Sequence, residues 1–246
     1  MPRITAVTFD LWETLIADSE VQNGLRTEYR VAKTVQLLLG AGIQADLSDL
    51  YAAHDEVWRR CELRWSGNAD LPFPEQAGLF LDLVRPGLAG SLPATVREQA
   101  AAVYADAVIH YPPELIPGAA DVLAALKRGR RKLGLICNTG RSPGAVLRRL
   151  LGSFGILKRF NVALFSDETL VRKPDPAIFR QALAALRIEP NDAVHVGDNA
   201  AADVGGAMAA GMQAVWVRRA GEPQPECLAT IGSVAELPEV LKSLEG

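Results

Sequence analysis

The stretch Ala193–Val217, AVHVGDNAAADVGGAMAAGMQAVWV, holds one complete structural repeat. Ala193–Val196 is short and apolar, the pattern of a strand buried on both faces. Gly197-Asp198 stops it, Ala200–Ala210 reads as a helix, and Gln213–Val217 is a second buried strand. Outward from this unit the same rhythm repeats. Helix Ala177–Leu186 precedes it, strand Val162–Phe165 precedes that helix, and helix Gly144–Leu151 and strand Leu133–Cys137 come before them. Helix Ala119–Lys127 opens the series and Ser233–Leu244 closes it with a last helix. Such alternation predicts right-handed crossovers and a parallel sheet covered by helices on both faces.

The chain begins differently. Ile4–Phe9 (ITAVTF) is another buried-strand pattern, but no strand is expected between Ser19 and His110. Four amphipathic stretches fill that interval: Val21–Leu39, Leu47–Trp65, Pro74–Leu83 and Pro93–His110. In the first, Leu25, Tyr29, Ala32, Val35 and Leu39 recur at helical spacing and are expected to form its buried face. The first strand, lacking a neighbour, is assigned to the later sheet. The expected architecture is therefore an α/β core, residues 1–16 and 113–246, with a helical bundle, residues 17–112, inserted as a cap. The cap is expected to cover Asp10, with hinges near Ile16 and Pro113.

Composition narrows the function. Of 246 residues 49% are hydrophobic, enough for a real core, and the formal net charge is -3. A mildly acidic chain lacks the basic surface that nucleic acid or an anionic membrane requires, so neither is expected as a partner. No apolar run approaches the ~20 residues of a membrane span. Cys61, Cys137 and Cys227 are scattered and odd in number, which argues against disulfides and zinc and for a cytoplasmic location. A small-molecule substrate is expected; oligomeric state is not legible.

In an open parallel sheet the functional crevice lies at the carboxyl ends of the strands. Asp10 ends the first strand, Asn138-Thr139-Gly140 follows Leu133–Cys137, Lys173 lies in the loop beyond Ser166, and Gly197-Asp198 ends the fourth strand. Two aspartates suit Mg²⁺, which prefers oxygen ligands. A lysine and loop amides suit a phosphate, and an aspartate facing it can act as nucleophile through an acyl-phosphate. Each residue has a plainer reading. A strand-end aspartate is often a turn former, a lone lysine a solvated charge, and Asp203 a complement to a helix dipole. Their convergence on one crevice favours the functional reading.

FDLWETL, with Asp10 and Thr14, resembles the first motif of the haloacid dehalogenase superfamily. Asn138 in LGLICNTG, Lys173 in VRKPDPAIF, and Asp198 and Asp203 in VGDNAAADVGGA are similar to the second, third and fourth, in order. The resemblance implies a Rossmann-like core with a helical cap. It assigns Asp10, Thr14 and Lys173 to catalysis, Asn138, Thr139 and Lys173 to phosphate, and Asp10, the Trp12 carbonyl, Asp198 and Asp203 to Mg²⁺. Cys137 stands where the family has serine or threonine and is expected to be a buried, inert thiol. His195 is expected to be structural, and Trp58 and Trp65 to pack within the cap. Phosphatases of the family carry a second aspartate as general acid–base, two residues after the first. Here that residue is Trp12, and an indole cannot transfer the proton. An aromatic at this position resembles the 2-haloacid dehalogenases instead, although their halide-binding arginine has no counterpart at Ala41, and Arg26 and Arg30 lie elsewhere. Three functions follow: a Mg²⁺-dependent hydrolase of a small phosphorylated metabolite, a dehalogenase-like hydrolase, or a weakly active ligand-binding protein. Arg26, Arg59, Arg60 and Arg64 are candidates for setting specificity.

Overall fold

A computed structural model describes residues 4–218, 221 and 223–245. The chain divides into two compact units. One comprises Met1–Asp18, Glu114–Asn138 and Leu151–Gly246; the other comprises Ser19–Pro113 and Thr139–Leu150.

The first unit is built on strands β1 (Ala6–Phe9), β4 (Lys132–Cys137), β5 (Val162–Phe165), β6 (Ala193–Gly197), β7 (Gln213–Val217) and β8 (Ala229–Ile231), while β2 (Ile16–Ala17) and β3 (Glu114–Leu115) form a separate antiparallel pair. The six-stranded sheet is parallel throughout, in the order β5-β4-β1-β6-β7-β8. This is the Rossmann-like α/β fold that the repeat predicts, and β1 does join the later strands, between β4 and β6. Strands buried on both faces need apolar side chains in both directions, and all residues of β1 and β6 are buried. On one face Ala6, Ile136, Ala193, Ala214 and Trp216 pack against Ile178, Phe179, Ala182 and Leu183 of the helix Pro176–Leu186. That helix starts with the Asp175 carboxylate accepting from the Ala177 amide and with a proline in its first turn.

The expected helix Ala200–Ala210 is not regular. Ala200–Gly205 is a π-type turn, and only Gly206–Ala209 is α-helical. The Asn199 side chain accepts from the Ala201 and Ala202 amides, and the Val204 amide reaches back to the Asn199 carbonyl, closing the wide turn.

The second unit contains helices Glu20–Gly40, Leu47–Trp65, Phe73–Val84, Leu88–Ser91 and Ala94–His110. Its core includes Val31, Leu38, Val57, Phe80, Leu81 and Tyr104. The expected inner face of the first helix is corrected: Leu25 and Leu39 are exposed, and the buried positions are Arg26, Arg30, Val31, Thr34 and Leu38. The arginines can lie inside because Arg26 Nε donates to the Tyr111 carbonyl and Arg30 Nε to the Tyr104 carbonyl, both at 2.8 Å.

Residues 139–150, which sequence alone places with the sheet, pack with these helices. Arg149 pairs with Asp106 at 2.7 Å, the Ser142 hydroxyl donates to the Ala105 carbonyl, and Arg141 lies over the Trp58 ring. Trp58 and Trp65 meet edge to face at 4.8 Å within this unit. No helix among the described residues is long and apolar enough to cross a membrane.

Candidate active site

Parallel register brings the polar residues together. Thr8 on β1 stands opposite His195 on β6, and the Thr8 hydroxyl lies 2.8 Å from His195 Nδ1. Successive strand residues alternate faces, so Gly197 shares the face of His195. The fourth-motif Asp203 fits beneath that face. A methyl group at Gly197 would collide with its carboxylate, so the glycine is required by close approach. Asp203 is almost wholly buried and fully engaged: Oδ1 accepts from Lys173 Nζ at 2.7 Å and lies 3.2 Å from His195 Nε2, while Oδ2 accepts from the Asn199 amide at 2.9 Å.

Lys173 links this group to the end of β1. Its ammonium donates to Asp10 Oδ1 at 2.5 Å as well as to Asp203, and its side chain is 2% exposed, so it bridges two carboxylates out of contact with bulk water. Asn138, at the end of β4, clamps the lysine's backbone from both sides: its Nδ2 donates to the Lys173 carbonyl and its Oδ1 accepts from the Lys173 amide, each at 2.9 Å. Asp198 completes the cluster, and Asp10, Asp198 and Asp203 each place a carboxylate oxygen within 4.8 Å of the others. The Trp216 indole, fully buried on β7, donates to the Asp198 carbonyl at 2.7 Å and fixes that strand end.

The electrostatics follow from one cation among three acids. Burial pushes the Asp10 carboxyl up to about 7; Lys173 opposes this, and Asp203 and Asp198 add to it. Burial also works against ionised Asp203, but Lys173 and His195 outweigh it and hold that carboxyl below the usual range. For Lys173 the burial penalty is likewise overcome, by Asp10 and Asp203, and its pKa rises. His195 is pushed down by burial despite its bond to Asp203. Asp203 is thus the fixed counter-charge of Lys173, and Asp10 is the carboxylate that remains crowded.

The loop after Asp10 is tight. Glu13 has a positive φ of 57°, its amide donates to the Ile16 carbonyl at 2.6 Å, and its carboxylate accepts from the Asp18 amide. That carboxylate is spent on the loop, so it does not replace an acid at Trp12, whose side chain is half-buried. The Thr14 hydroxyl is buried with no partner among the described residues. Thr139 belongs to the helical unit, where its hydroxyl lies 3.4 Å from Asp70. Cys137 is buried, and burial pushes its thiol up, as expected of an inert cysteine. Among the arginines considered for specificity, the exposed Arg59 and Arg60 pair with half-buried Glu56, and Arg64 donates to the Asp70 carbonyl.

Residues 4–211 match the family model for haloacid dehalogenase-like hydrolases. The chain belongs to that family. It is 35% identical over 178 residues to a phosphoserine phosphatase of Thermus thermophilus, covering 72% of this chain and 66% of that protein. It is 30% identical over 224 residues to a glyceraldehyde 3-phosphate phosphatase of Methanopyrus kandleri, covering 88% and 84%. Among solved structures, a 2-haloacid dehalogenase from Pseudomonas syringae pv. tomato superimposes with a TM-score of 0.71 at 24% identity over 98% of this chain and 99% of that one. A HAD phosphatase from Thermococcus onnurineus gives 0.63 at 26%, covering 96% and 97%. The first of these shows a common fold; the two sequence relatives carry phosphatase names.

His195 is buried and holds Asp203 in place, whereas Thr8 and Trp216 carry no signal in the sequence. The two-residue spacing of His195 and Gly197 signals a shared face, but their link to Thr8 needs the strand order. Replacing Gly197 with alanine is expected to force Asp203 aside and cost about 1–3 kcal/mol in urea unfolding. Unchanged unfolding would show that Asp203 does not need the space.

Proposed function

We propose that this hydrolase acts on a small phosphorylated metabolite, with Asp10 as nucleophile. The observation that carries the reading is Lys173 bridging Asp10 and Asp203 inside a buried three-carboxylate cluster. The relatives' phosphatase names support it.

An all-carboxylate donor set fits a hard divalent cation such as Mg²⁺. Asp203 is already engaged by Lys173, His195 and the Asn199 amide, so Asp10, Asp198 and the Trp12 carbonyl are the groups we assign to hold it, with Asp203 behind them. The ion would supply positive charge to the phosphoryl oxygens. Lys173 orients Asp10 and would add its own positive charge. Asp10 attacks phosphorus, forming an aspartyl-phosphate as the ester P–O bond breaks; the leaving alkoxide takes its proton from water, because Trp12 has none to give. Water then cleaves the aspartyl-phosphate, releasing phosphate and restoring Asp10.

Trp12 favours a second reading, hydrolysis of a 2-halocarboxylic acid, since halide leaves without a proton. Assays of phosphoesters and haloacids, with and without Mg²⁺ and with Asp10→Asn as control, separate the two. Phosphate release that needs Mg²⁺ and Asp10 supports the first; metal-independent halide release replaces it with the second. In calorimetry, Asp198→Ala is expected to lose Mg²⁺ binding, and equal binding by that variant would refute the assigned site.

A further inference from the structure

A second polar cluster lies within the helical unit. Arg141 stacks on the Trp58 ring, 4.4 Å from its centroid, and donates to the His54 carbonyl at 3.4 Å. Gly140 permits the approach: a methyl group there would come within 3.1 Å of the Trp58 ring. The guanidinium is therefore held in place, yet no carboxylate pairs with it among the described residues, and its Nε is buried without a hydrogen-bond partner.

Two more polar atoms beside it are unsatisfied. Tyr104 is fully buried, and its hydroxyl faces the Arg141 side chain with no partner within hydrogen-bond distance. His54, 2% exposed, has an unpartnered Nε2, and its ring centre lies 6.0 Å from that of Tyr104. His54 Nδ1 lies 3.4 Å from an Asp55 carboxylate oxygen, which places the proton of the neutral ring on Nδ1 and leaves Nε2 an unpaired acceptor. Burial, then the charges of Arg141 and Arg30, hold this imidazole down near 4, so it is neutral at pH 7. A buried polar atom left unpaired costs about 1–3 kcal/mol, and Arg141 Nε together with these two atoms calls for a ligand.

We infer that Arg141 and Tyr104 form a binding site, bordered by His54, for one small carboxylate anion. A guanidinium fork matches a carboxylate's two oxygens, Trp58 fixes its plane, and the phenol supplies a further donor. Arg141 is partly exposed and is the edge at which the anion enters. The site stands whichever reaction Asp10 performs.

The test is a titration of the intact, metal-free protein with sodium acetate, followed by NMR of the Arg141 Nε–H and Trp58 Nε1–H signals. Acetamide and sodium chloride at matched concentration are the controls. Acetate is expected to give saturable shifts that neither control gives. Arg141→Met, which keeps the packing on Trp58, should weaken binding at least about 10-fold as read at Trp58, and Tyr104→Phe by about 2–10-fold. The phenylalanine variant removes only an unpaired oxygen and should fold normally. Equal shifts with chloride, or acetate binding unaltered in Arg141→Met, would overturn the site and leave a hydrated polar core.

Discussion

Trp12→Asp should raise steady-state turnover of alkyl phosphates by about 10²–10⁴-fold, the range that a positioned general acid–base contributes. In the wild type, p-nitrophenyl phosphate can still phosphorylate Asp10, because nitrophenolate leaves without protonation. Water attack on the aspartyl-phosphate then lacks a base and limits the rate. The expected trace is a burst of nitrophenol followed by a slow phase, which Trp12→Asp accelerates. The loop should tolerate the smaller side chain. It is held by backbone bonds from the Leu15 and Ile16 amides to the Leu11 carbonyl and from the Glu13 amide to the Ile16 carbonyl, and by buried Leu11, Leu15 and Ile16. A folded variant with no gain, alongside metal-independent halide release by the wild type, would transfer the assignment to a dehalogenase. If neither protein shows a burst, turnover or halide release, the fold serves ligand binding.

Lys173→Met should destabilise the protein by about 3–5 kcal/mol at pH 7 and abolish turnover, because it leaves Asp10, Asp203 and Asp198 buried together without their cation. The pH dependence has a definite sign. Without Lys173, burial is opposed on Asp203 only by His195 and the Asn199 amide and acts more strongly on Asp10, so both folded-state pKa values move up. A carboxyl whose folded pKa exceeds its unfolded value destabilises the fold as pH rises through that window, and the penalty fades below it. The gap between wild type and Lys173→Met, measured by urea unfolding, should therefore be largest at neutral pH and shrink on acidification. A gap below about 1 kcal/mol at pH 7 would mean that the lysine is not the charge that holds the cluster together.

The strand–helix repeat was legible because buried parallel strands and their crossover helices leave distinct patterns, and Asp10, Asn138, Lys173 and Asp198 stand at or beyond the ends of those strands. Less legible were features in which polar groups are satisfied internally. Leu25 and Leu39 read as part of the buried face of the first helix, yet backbone carbonyls across the bundle accept the hydrogens of Arg26 and Arg30 and those arginines lie inside instead. Asp203 read as a residue near a helix start, whereas the π-type turn and Gly197 place it under the sheet as the counter-ion of Lys173. Asn138 read as a phosphate ligand, and its amide holds the Lys173 backbone. Residues 139–150 follow a sheet strand in sequence, but Arg141, Ser142 and Arg149 find their partners on helices. Each of these depends on a pairing between distant residues, which periodicity does not encode.

The central claim is that Asp10 carries the reaction covalently. Mixing the protein with p-nitrophenyl phosphate and Mg²⁺, quenching in acid within the burst, and mapping the digest by mass spectrometry tests it directly. A phosphoryl adduct on the peptide containing Asp10, absent from Asp10→Asn, is the predicted result. Nitrophenol release with Asp10 unmodified at every quench time would contradict it.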